Sequence, residues 1–132
     1  MLRHLIKFLI GLTAVVSQAV FAQTFSGTNA PGAATNFNFT ISAGVTNLTL
    51  GVSNSAGAWS HLLLKKGGTP TDNDFDFIAR LDGKTNIIAL DAPEFVVTNY
   101  GLRVHTPVAS VQHAFSVSLT TNRTDLRTAN FP

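Results

Sequence analysis

The chain has 132 residues and no cysteine, which allows one compact domain and excludes both a disulfide framework and thiolate chemistry. Nine Lys and Arg stand against seven Asp and Glu, and two of the basic residues, Arg3 and Lys7, lie at the extreme N-terminus. The rest of the chain is neutral, which leaves no electrostatic basis for binding nucleic acid or an anionic membrane.

The first element in chain order is a leader. Arg3, His4 and Lys7 form a basic start, an apolar run follows over residues 8–16, and Val20-Phe21-Ala22 precedes Gln23. This is the layout of a secretory signal peptide over 1–22, with cleavage between Ala22 and Gln23. The run is shorter than the roughly 20 apolar residues that cross a bilayer. Export to the periplasm, cell surface or medium is therefore expected, with no membrane association once the leader is gone. Residues 23–36 are mostly Gly, Ala, Asn and Thr with one proline and read as a lead-in segment or edge strand.

Alternation with period two then begins. Phe37, Phe39 and Ile41 share one side, and after Ser42-Ala43-Gly44 the pattern resumes with Leu48, Leu50 and Val52. Residues 59–66 are apolar on both faces at Leu62, Leu63 and Leu64, which predicts a central strand. Phe75, Phe77, Ala79 and Leu81 continue after a polar loop. Asp82-Gly83 reads as a hairpin turn into a strand with Ile88 and Leu90 inward. Phe95-Val96-Val97 leads into a strand where Tyr100, Leu102 and Val104 share a face, and Phe115, Val117 and Leu119 mark the last strand. No helical stripe is present in this part of the chain. Seven to eight short strands with regular turn signals predict an all-β fold, an antiparallel β-sandwich over 37–121. Residues 122–132 read as a tail or the start of a linker to a further module.

The order of these motifs resembles the bacterial pre-peptidase C-terminal domain. The resemblance is carried by Phe37-x-Phe-x-Ile41, Gly44 and Leu48-Thr-Leu50, then by Leu62-Leu-Leu-Lys-Lys-Gly67-Gly-Thr-Pro70. Phe75-Asp76-Phe77, Asn99-Tyr100-Gly-Leu-Arg103-Val104 and Phe115-Ser-Val-Ser-Leu119 complete it. Asn99 stands where the family usually has glycine. The resemblance implies a jelly-roll-like sandwich without catalytic residues, an accessory module that binds substrate or polysaccharide or aids secretion, and in some members binds calcium.

Among candidate sites, Asp72, Asp74 and Asp76 place three carboxylates at alternate positions of one loop, a pattern that can turn oxygens toward calcium. An EF-hand is excluded, because Phe77 and Gly83 occupy the positions of its glycine and glutamate. The competing reading is a solvated turn held by its own Asp and Asn side chains. Trp59 and Tyr100 are candidates for a sugar-stacking platform, against the alternative that both pack inward. His61, His105 and His113 lack tight zinc-ligand spacing and read as solvent-facing strand histidines. Ser60 and His61 are neighbours on a strand, point to opposite faces and cannot share a proton. No nucleophile elbow and no phosphate loop occurs, since Gly67-Gly68 lacks the downstream Lys-Ser/Thr.

The expected function is that of an exported, non-catalytic binding module for a polysaccharide or protein outside the cell. A carbohydrate-binding module and a structural spacer in a larger envelope or adhesin-like protein are the alternatives.

Overall fold

The computed structural model describes residues 17–125 apart from residue 56. Residues 1–16, most of the expected leader, and residues 126–132 of the expected tail lie outside the described residues. Eight strands and no helix occur among them: β1 (Ser17–Asn29), β2 (Ala34–Thr40), β3 (Val45–Asn54), β4 (His61–Lys66), β5 (Phe77–Ala79), β6 (Ile87–Asp91), β7 (Asn99–His105) and β8 (His113–Asp125). They form two four-stranded antiparallel sheets, β1-β8-β3-β6 and β2-β7-β4-β5. Successive strands alternate between the sheets except β4 and β5, which pair with each other, and this jelly-roll order confirms the all-β sandwich.

The alternation read in the sequence determines the inner layer. Leu48, Leu50 and Val52 of β3 face Tyr100, Leu102 and Val104 of β7 across one core, joined by Leu62, Leu64 and Val117, all with almost no exposed surface. β4 lies between β7 and β5, and Leu62, Leu63 and Leu64 are buried on both faces, as expected of an interior strand. The turn after β2 is made by Gly44, whose φ of 88° is accessible to glycine at little cost and carries the chain from one sheet to the other.

Three strand assignments change. Asp82-Gly83 is not a hairpin turn, because β5 and β6 belong to different sheets and residues 80–86 cross between them. Buried Asn86 holds this crossing: its Oδ1 accepts from Leu81 N at 2.7 Å, and its Nδ2 donates to Ser60 O at 2.7 Å and Leu81 O at 3.1 Å. The alternation around Phe75 is shorter than expected, since β5 covers only Phe77–Ala79 and Leu81 is exposed. Phe95 is buried, but Val96 and Val97 point to solvent in a non-strand segment. Tyr100 pins that segment, its hydroxyl accepting from Val96 N at 3.0 Å and donating to Val96 O at 3.1 Å.

Candidate functional site

The acidic loop lies between β4 and β5 and folds across the outer face of their sheet. Gly67 N donates to Asn99 O at 2.7 Å, and the Gly68 carbonyl rests on the α-carbon of Gly101 in β7. A side chain at position 101 would collide with that carbonyl and with Pro70, so the close approach requires glycine. Thr71 and Asp74 then form a tight bridge, with N–H donated each way at 3.0 and 3.2 Å.

This path sends each carboxylate to a different partner. Asp72 accepts from Arg103 Nε at 3.1 Å, Asp74 pairs with Lys65 Nζ at 2.7 Å, and Asp76 accepts from the Lys66 backbone N at 2.6 Å. Among the described residues no group of three or more His, Cys, Asp or Glu is gathered to hold a metal ion. The carboxylates and their basic partners fasten the loop to β4 and β7.

Tyr100 is 1 % exposed and stacks on Phe39 at 5.6 Å between ring centroids, so its ring faces the core. Trp59 precedes β4 and is half-buried. Its N–H on the backbone donates to Ser110 Oγ at 3.2 Å, while its buried Nε1 meets no hydrogen-bond partner among the described residues. The two rings do not share a face that could serve as one stacking platform.

The histidines depart from the solvent-facing expectation. His61 is 6 % exposed and contacts Asp82 Oδ1 through Nε2 at 2.8 Å. It has an outward strand position, yet loop residues cover it. His105 lies beside it, with ring centroids 5.9 Å apart. Burial lowers the His105 pKa from the ordinary 6.5; Asp72 opposes the shift, and Arg103, His61 and Arg80 reinforce it.

His113 is buried at the end of the sandwich where β3 ends and β4 and β8 begin. Its Nδ1 donates to Val111 O at 2.7 Å, since a carbonyl can only accept. Its Nε2 lies 3.1 Å from Ser60 Oγ and 2.8 Å from Asn54 Oδ1, and Ser60 Oγ donates to Asn54 Oδ1 at 2.8 Å. Ser60 adjoins His61 in the sequence, but the histidine it contacts is His113, 53 residues away. A serine touching a histidine is the start of a nucleophilic constellation. Here Ser60 has no exposed surface, and the trio instead satisfies buried polar groups at the closed end. The one sequence signal was polar residues standing at core-facing strand positions.

Two grooves remain. One of about 460 Å³ runs beside the loop, lined by Asn38, Thr40, Asn99, Thr69 and the Gly67-Gly68 backbone, with no charged side chain. The other, of about 380 Å³, opens at the opposite end from His113 between Phe21, Ala22 and Gln23 of β1, Ile41, Val45, Leu119 and Thr121.

The sequence matches no protein-family model and no curated protein. In structure, the chain is similar to the pre-peptidase C-terminal domain of a Bacillus anthracis collagenase, with 16% identity and a TM-score of 0.56 over 74% of this chain and 87% of that one. It is also similar to PliG of Aeromonas hydrophila, a periplasmic inhibitor of g-type lysozyme, with 15% identity and a TM-score of 0.57 over 76% of this chain and 85% of that one. At these identities the likeness establishes a shared fold. Among the described residues no helix is long and apolar enough to cross a membrane.

Proposed function

We propose that this chain is an exported, non-catalytic β-sandwich module that attaches to a partner outside the cytoplasm, in the manner of pre-peptidase C-terminal domains. The observation that carries this reading is the coincidence of the motif order with a fold matching 87% of a solved domain of that family. The leader-like residues 1–22 supply the address. Ser60 and His113 are turned into structural bonds, and the carboxylates of residues 72–76 fasten a loop. The PliG neighbour is an inhibitor of a lysozyme, so in that case the fold serves a protein partner.

The test is to express the full chain in a Gram-negative host and follow its location and N-terminus by fractionation and mass spectrometry. Export with a mature product beginning at Gln23 supports the reading, and cytoplasmic retention of the unprocessed chain rejects it. Capture of an envelope or secreted protein by the mature module would then identify the partner. A second reading, a carbohydrate-binding module, draws on the uncharged amide- and hydroxyl-lined groove at Asn38, Thr40, Thr69 and Asn99. Retention on an insoluble neutral polysaccharide, abolished by Asn38→Ala with Asn99→Ala, would favour it.

A further inference from the structure

The leader and the fold overlap. β1 runs from Ser17 to Asn29, and its antiparallel register on β8 starts at Ser17↔Asp125 and ends at Asn29↔His113. Cleavage after Ala22 removes the six pairs from Ser17↔Asp125 to Ala22↔Thr120 and leaves the seven from Gln23↔Leu119 onward. On its other side β8 stays paired with β3, as far as Val45↔Arg123. The mature protein therefore keeps an ordered neighbour behind a stretch of β8 whose front edge has lost its partner. Such an edge presents unpaired N–H and C=O groups, the template for adding a strand.

The same cut opens the groove beside it. Phe21 and Ala22 form one wall of the 380 Å³ groove, whereas Ile41, Val45, Leu119 and Thr121 stay in place when the leader departs. A trough with an apolar floor at Ile41, Val45 and Leu119 and a hydroxyl rim at Thr40, Ser42 and Thr121, next to an open backbone edge, combines hydrogen bonding with a specificity pocket.

We propose that leader removal creates a strand-acceptor site on residues 120–125 of β8, and that its occupant is an extended, uncharged segment of another protein. The departing residues define its chemistry: an aromatic side chain opposite Thr121, as Phe21 is, and small residues opposite Thr120 and Arg123, as Ala22 and Ala19 are. A second copy fits this lane poorly, since its own β8 would bring Thr121-Asn122-Arg123, with no aromatic to fill the trough. The proposal rests on export and cleavage after Ala22, and it deepens that reading by naming the kind of partner and where it docks.

The experiment uses the exported protein, its N-terminus read by mass spectrometry. The probe is a synthetic peptide of residues 17–22 at millimolar concentration. Hydrogen exchange of the 120–125 amides that face the vacated lane should slow at least ten-fold with the peptide. The same peptide carrying Phe21→Ser should have no effect. A product beginning at Gln23 whose exchange ignores the peptide overturns the site while leaving the export reading intact. Amides already slow without peptide also overturn it, because another copy or the chain's own residues then fill the lane; sedimentation distinguishes the two. A product that begins upstream of Phe21 overturns the cleavage reading, and the site with it.

Discussion

The two sheets share one core but present opposite outer faces. On β1, β8 and β3 the outward positions carry Thr24, Ser26, Ser118, Thr49 and Ser53, all exposed and uncharged. On β4 and β7 the outward positions carry His61, Leu63, Lys65, Gly101 and Arg103, and the 67–76 loop or its neighbours cover them. Leu63 is only 2 % exposed although it points away from the core. Alternation in the sequence makes both inner faces alike. Whether a loop returns over the outside decides the rest, and it turns the charges of one face into fasteners. The β8 edge of the proposed acceptor site belongs to the bare sheet, where no loop returns over the outside.

The largest expected effect breaks this contrast at two glycines. Gly101→Ala drives a Cβ into the Gly68 carbonyl and should cost about 3 kcal/mol, read as a fall in the denaturant midpoint. Gly51→Ala, outward on β3 of the bare face, meets only Ile87 at 3.8 Å and should be neutral or stabilising by up to about 0.5 kcal/mol. Equal effects at the two positions would mean that the loop does not rest on β7.

Leu63→Ala comes next, at about 2–3 kcal/mol, because it empties a buried position on the outward side of β4. Thr49→Ala at an exposed position of the other sheet should stay within about 0.5 kcal/mol. A Leu63 variant as stable as the parent would show that the outer layer is not packed.

A smaller effect depends on pH. Burial holds the folded-state pKa of His105 below 6.5, so the unfolded chain takes up the proton first. The stability contributed by keeping this ring neutral is intact above pH 6.5 and is lost as the pH falls from there through the lowered folded value. Melting curves of His105→Asn should fall less steeply over that acid window than those of the parent, and parallel curves would refute the assignment.

The smallest expected effect is that of calcium. Asp72, Asp74 and Asp76 are already bound to Arg103, Lys65 and the Lys66 amide, so the melting temperature should be the same in millimolar calcium and in chelator. A calcium-dependent rise, lost in Asp74→Ala, would mean that the loop leaves β4 and β7 to gather around the ion.

How much was legible can be followed residue by residue. Phe39, Leu50, Val104 and Val117 all lie where their parity placed them, because a strand repeats every two residues and burial selects one side. The three aspartates were conspicuous, but their partners were not: Arg103 lies 31 residues from Asp72. His61 misled for a related reason, since parity correctly turned it outward while a loop residue, Asp82, determined what it met there. Ser60 and His113 show in the sequence only as polar residues at core-facing parity; the contact between them is made when the closing end of the sandwich brings them to 3.1 Å.

The sequence alone determined most of the strands, their inward faces, the absence of cysteine chemistry and the leader-like N-terminus, all of which follow from short-range periodicity and composition. Only the tertiary structure decided which strands pair, which outer face is covered, and that β1 runs through Ala22 and Gln23, the expected cleavage position. Those features depend on contacts between residues tens of positions apart. A two-residue repeat marks which side of a strand is apolar, and the partner that meets it is selected by how the whole chain packs.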